Sequence, residues 1–89
     1  MFYVYILESG IDGSFYIGQT SNLEDRLRRH NAGTEKYTKT KAPWKIFWFE
    51  AVETRSAAIR LETKLKNLKS RKRLIELTTT SKGNAGPVA

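Results

Sequence analysis

Phe2-Tyr3-Val4-Tyr5-Ile6-Leu7 and, a short turn later, Phe15-Tyr16-Ile17-Gly18 decide how this chain folds. Both runs are aromatic and β-branched, a composition that suits a pleated, packed surface. Ser9-Gly10-Ile11-Asp12-Gly13 between them has the chemistry of a turn, so the pair predicts a β-hairpin. Tyr5 and Tyr16 then stand on adjacent strands, where their hydroxyls can converge on one face. The ordinary role of such residues is that of core aromatics with hydrogen-bonded hydroxyls.

Downstream, Ser21 or Asn22 can cap a helix whose first turn carries Glu24 and Asp25 at the positive end of its dipole. The helix is expected to run to about Asn31, with Gly33 as its stop. Leu23, Leu27 and His30 share one face, and Arg26 lies beside it. Thr34 to Ala42 is polar and reads as a loop. Pro43-Trp44 leads into a third strand, Lys45-Ile46-Phe47-Trp48-Phe49-Glu50. Thr54 or Ser56 starts a second helix with an apolar stripe of Ala58, Leu61, Leu65 and Leu68. Glu62 follows Leu61 by one step, about 100° round the helix, at the border of that stripe. Leu74, Ile75 and Leu77 suggest a last turn or short third helix. From Thr78 the chain is Thr-, Ser-, Gly- and Ala-rich without periodicity, so residues 78–89 are expected to form a disordered tail after a domain of residues 1–77. The elements together predict an α/β fold, a three-stranded, mainly antiparallel sheet flanked by helices.

The 89 residues allow one domain, with a modest core that removes roughly 60–65% of the unfolded surface from water. Hydrophobic residues are 39% of the chain, enough for that core, and disorder of the whole is not expected. There is no cysteine, which excludes disulfides, thiolate zinc sites and a cysteine nucleophile and fits a cytoplasmic protein. The apolar N-terminus is far shorter than the ~20 residues of a membrane span, so no membrane association is expected. Sixteen Lys and Arg against nine Asp and Glu give a net charge of +7, which points to a polyanionic partner.

Val4-Tyr5, the turn and Tyr16-Ile17-Gly18 resemble the paired tripeptides that name the GIY-YIG nucleases. Arg26 ten residues after Tyr16, His30 four later, and Glu62 within Ile59-Arg60-Leu61-Glu62 also look like that family. His30-Asn31-Ala32-Gly33, Tyr37-Thr38 and Pro43-Trp44 resemble its small stand-alone bacterial members. The match spans Phe2 to Leu77. Two positions depart from the pattern, Tyr3 where Gly is usual and Gln19 where excision-repair relatives tend to carry a basic residue, and no asparagine follows Glu62 at the family's spacing, Asn67 being too close.

The resemblance implies metal-dependent hydrolysis of nucleic acid, DNA first and RNA second, with structure rather than sequence selecting the site. Glu62 would hold Mg²⁺ or Mn²⁺, since Mg²⁺ can be bound by one or two carboxylates plus substrate oxygens. The alternative for Glu62 is an exposed partner of Lys66 or Lys69. Arg26 would steady the scissile phosphate with its planar donors, against the alternative of a surface pair with Glu24 or Asp25. His30 would contact the phosphate or move a proton, and otherwise serve as a cap or packed ring. Tyr5 or Tyr16 would activate water, its phenol (ordinary pKa near 10) helped by cations. Tyr37 would assist or position, and Gly18 would allow close approach of backbone or substrate. Lys64, Lys66, Lys69, Arg71, Lys72 and Arg73 are a candidate surface for phosphates, or simply a solvated helix face. A binding module on the same fold, without turnover, is the rival expectation.

Overall fold

The computed structural model describes residues 1–80. Three strands form one sheet: β1 (Phe2–Ser9), β2 (Phe15–Thr20) and β3 (Trp44–Val52), in the order β2-β1-β3. Both pairings are antiparallel, with Tyr5 opposite Gly18 on one side and Phe49 on the other. Three α-helices, α1 (Leu23–Ala32), α2 (Arg55–Leu68) and α3 (Arg71–Thr80), and a 3₁₀ turn at Lys39–Lys41 complete the described chain.

Because side chains alternate along a strand, β1 feeds two cores. Val4 and Ile6 are buried with Trp48, Ala58, Leu65 and Leu74, under α2 and α3. Tyr5 and Leu7 are buried with Trp44 on the opposite face, where Tyr16, Leu23 and Leu27 pack against them. The sheet is therefore covered on both sides. β3 is longer than its apolar centre suggested, and it carries an irregularity: Leu7 faces Ile46 and Ile6 faces Trp48, so Phe47 is the extra residue of a bulge. The bulge directs Phe47 as well as Trp48 to the α2 side, where the ring of Phe47 meets Phe15 at 4.8 Å.

Local chemistry sets the helix ends. The Asn22 side chain accepts a bond from the Asp25 N–H at 3.0 Å, and Gly33 (φ 79°) closes α1 in the left-handed region that glycine tolerates. Thr54 caps α2 by accepting from the Ala57 N–H at 3.1 Å. Lys69 ends α2 with φ 51°, a left-handed residue with a β-carbon. The third helix is longer than expected. It continues through Thr80, and Thr78 is buried, donating its hydroxyl to the Leu74 carbonyl at 2.8 Å, so the expected tail does not begin at Thr78. Residues 81–89, the remainder of that expected tail, lie outside the described residues. No described helix is long and apolar enough to cross a membrane.

Candidate active site

The hairpin register places Tyr5 directly beside Gly18, and this explains the glycine. A β-carbon on Gly18 would stand 2.5 Å from the Tyr5 hydroxyl oxygen and 2.8 Å from Cζ. The space over Gly18 is thus occupied by the protein's own phenol. The expectation that Gly18 admits substrate gives way to a packing role.

His30, on α1, is wholly buried, and both its ring nitrogens are engaged. Nε2 lies 3.2 Å from the Tyr5 hydroxyl and Nδ1 2.9 Å from the Thr38 hydroxyl. The Thr38 hydroxyl donates to the Glu35 carbonyl at 3.4 Å. One consistent direction follows: Tyr5 O–H donates to Nε2, Nδ1–H donates to Thr38, and Thr38 donates onward. Burial lowers the His30 pKa from its ordinary 6.5, which keeps the ring neutral as this chain of bonds requires. His30 therefore does not face a substrate, contrary to the expectation of phosphate contact. It positions Tyr5.

The residue after it, Asn31, has a similar task. Its amide donates to the Trp44 carbonyl at 3.1 Å and its oxygen accepts from the Trp44 N–H. The Trp44 indole in turn donates to the Thr38 carbonyl at 2.9 Å. The His-Asn pair and Thr38 thus fasten α1, the following loop and the start of β3 around the two tyrosines.

Tyr16 is the hub of the rings. It lies 4.9 Å from His30, 6.0 Å from Tyr37, 6.2 Å from Trp44 and 6.5 Å from Tyr5. Unlike Tyr5, which is 2% exposed, Tyr16 is only half-buried and lines a cleft of about 630 Å³ with Tyr37, Lys66 and Lys69. Burial raises both phenol pKa values above the ordinary 10.0; Tyr16 raises Tyr5 further, and Glu35 raises Tyr16 further.

Arg26 and Glu62 belong to the same electrostatic neighbourhood. The positive charge of Arg26 lowers the pKa of both phenols, and the negative charge of Glu62 raises both. Glu62 stands on α2, which packs on β1 and β2 from the other face of the sheet. Its carboxylate is 18% exposed and pairs with Lys66 at 2.7 Å. The anticipated ion pair of Glu62 exists, and its partner is Lys66 rather than Lys69. Arg26 pairs with neither Glu24 nor Asp25, the partners weighed from sequence. It meets Glu35 at 3.2 Å, and Asp25 pairs with Arg28 and Arg29. Glu35 was missed. It is the one acid between Gly33 and Pro43, and an isolated carboxylate in a loop otherwise rich in Lys and Thr is the signal that could have singled it out.

The basic run divides. Lys66 and Lys69 face the cleft. Lys64 instead lines a separate groove with Leu68, Arg73, Glu76 and Leu77. Arg71 touches the cleft and also bonds Glu8 at 3.0 Å and the Gly13 carbonyl, with its guanidinium 4.2 Å over the Phe15 ring. It staples the start of α3 to the hairpin at the edge of the cleft.

Among the described residues no group of three or more His, Cys, Asp or Glu is gathered that would cage a metal ion. A Mg²⁺ ion sharing oxygens with substrate and water requires only one or two carboxylates. Glu62 is a single carboxylate of that kind, and in the free protein it is paired with the Lys66 ammonium.

The comparisons agree with this architecture. A family model described as the GIY-YIG catalytic domain matches residues 1–74. A UPF0213 protein of Haloquadratum walsbyi is 46% identical over 66 residues, 73% of each chain. Another, of Syntrophus aciditrophicus, is 39% identical over 74 residues, 81% of this chain and 84% of the relative. The solution NMR structure of a UPF0213 protein from Bacillus halodurans superposes with a TM-score of 0.58 at 36% identity, covering 94% of this chain and 88% of that one. With the tyrosine pair, the helical arginine and the second helix's glutamate in one neighbourhood, this chain belongs to the GIY-YIG nuclease superfamily.

Proposed function

We propose that this protein is an endonuclease that hydrolyses phosphodiester bonds of DNA, in the cytoplasm, with structure rather than sequence selecting the site. The observation that supports it most is that Tyr16 borders an open cleft together with Lys66, whose ammonium holds the Glu62 carboxylate at 2.7 Å.

In this reading Arg26 binds the scissile phosphate with its planar guanidinium and steadies the charge that grows there. Glu62 would hold Mg²⁺ or Mn²⁺, which supplies charge neutralisation and acidifies water when bound. Tyr16 takes the proton from the attacking water. It borders the cleft, whereas Tyr5 is buried with its proton committed to His30. The raised pKa of Tyr16 keeps its phenol protonated until positive charge joins Lys66 and Arg26 nearby, which a bound divalent cation would supply. Tyr5 and His30 hold the ring of Tyr16 from behind.

The test is nicking of supercoiled plasmid in Mg²⁺ or Mn²⁺ by wild type, Glu62→Ala and Arg26→Ala. Nicking by the wild type that both substitutions suppress is expected; equal nicking by all three defeats the reading. A binding module without turnover is the second reading, favoured by the Glu62–Lys66 contact of 2.7 Å, which occupies the carboxylate with a protein cation. It expects salt-dependent nucleic-acid binding that EDTA leaves intact and no cleavage in either metal.

A further inference from the structure

The cleft beside Tyr16 is lined by residues other than Tyr5, Arg26 and Glu62. Its volume of about 630 Å³ falls within the range of pockets that hold a small-molecule-sized group. Its walls include the rings of Phe15, Tyr16 and Tyr37, the ammoniums of Lys66 and Lys69, and the hydroxyls of Ser14 and Ser70, over an aliphatic floor of Ile17, Leu65 and Leu74. No carboxylate is among the described residues lining it, although Lys66 pairs with Glu62 at 2.7 Å just outside, so Lys69 is the cleft ammonium without an ion pair among the described residues. Rings, cations and hydroxyls without acids make a lining suited to an aromatic anion.

Tyr37 is the telling residue. It is 63% exposed. It leans on Tyr16 at 6.0 Å, and the Lys41 ammonium stands 5.9 Å from its centre. Lys41 is itself held by Asp12 at 3.4 Å and by the Ser14 hydroxyl at 3.1 Å. Tyr37 is thus an anchored, solvent-facing ring one step from the proposed water-activating phenol.

We infer that this cleft takes an unpaired nucleotide next to the bond to be cut, its base stacked on Tyr37 and its phosphates on Lys66 and Lys69. Stacking on an exposed ring demands a base whose face is free. In a duplex every face is already stacked on its neighbours, and exposing one costs a few kcal/mol. The site therefore selects single-stranded, frayed or flapped nucleic acid over blunt duplex. The inference deepens the nuclease reading, and it rests on that reading only for placing the cut bond near Tyr16.

Fluorescence anisotropy in EDTA, with a fluorescein-labelled DNA strand and the blunt duplex of the same sequence, tests the inference apart from cleavage. The strand is expected to bind about tenfold more tightly than its duplex. Tyr37→Ala, at an exposed position that leaves the core intact, should remove that preference, and Tyr37→Phe should keep it. Lys69→Ala should weaken strand binding and flatten its salt dependence. Equal affinity for strand and duplex, or an unchanged preference in Tyr37→Ala, overturns the inference. A strand bound as expected but never cut in Mn²⁺ leaves the cleft standing and removes the nuclease reading. Cutting that persists with Tyr37 irrelevant to strand preference does the reverse.

Discussion

Arg26 Nη1 lies 3.2 Å from Oε1 of Glu35, so the guanidinium proposed to hold a substrate phosphate rests on a carboxylate in the free protein. Each side chain is about one third exposed, and a pair in that setting is worth at most about 1 kcal/mol. A phosphate can displace Glu35 from it.

Glu35→Gln should therefore tighten binding of a DNA strand, by up to about fivefold, because a competing anion is removed while its size is kept. Anisotropy in EDTA measures this. Weaker binding would mean instead that Glu35 holds Arg26 in its working position.

Stability should depend on His30 as pH falls. Its folded-state pKa lies below the ordinary 6.5, so under that pH the unfolded chain takes up a proton that the folded chain refuses. The His30 contribution is fully present above about 6.5 and declines below it. Urea midpoints at pH 7.5 and 5.5 should differ for the wild type, and the difference should shrink in His30→Gln.

Gly18→Ala places a methyl group 2.5 Å from the Tyr5 hydroxyl oxygen. The phenol is buried and held by His30, so it cannot swing aside freely. Overpacking of this kind costs about 1–3 kcal/mol, and the loss of stability should appear as a lower urea midpoint. An unchanged midpoint would show that Tyr5 is looser than its contacts imply.

Lys69→Gly should move stability and binding in opposite directions. Lys69 holds φ 51°, where a β-carbon is strained and glycine is not. A gain of about 0.5–1 kcal/mol is expected in urea unfolding, together with weaker DNA binding through loss of a cleft ammonium. A variant that gains stability without losing affinity would separate Lys69 from the substrate path.

Much of the framework was legible because its signals are local. The aromatic and β-branched runs at residues 2–7 and 15–18, the Asn22 and Gly33 helix ends and the stripe from Ala58 to Leu68 each reflect a composition, a cap or a period written in nearby residues. What escaped depends on contacts between distant elements. Arg71 reads as one more surface cation until Glu8, Gly13 and Phe15, all from the hairpin, are found around it. His30 reads as a reactive group until Tyr5 and Thr38 close on both nitrogens. Glu35 lies in a polar loop with no period to mark it, and only folding brings it to Arg26. The Phe47 bulge was hidden because a run of bulky residues fits either face of a strand. Of the candidate site, the residue types were readable and the direction of each side chain was not.

Among these relationships the position of Tyr16 between the cleft and the buried Tyr5–His30 pair bears most on function. The rate of plasmid nicking in Mn²⁺ by Tyr16→Phe tests it with the loss of a single oxygen. The account predicts a fall of at least about a hundredfold, as for loss of a general base, with the melting temperature unchanged. Nicking at the wild-type rate by Tyr16→Phe would contradict it.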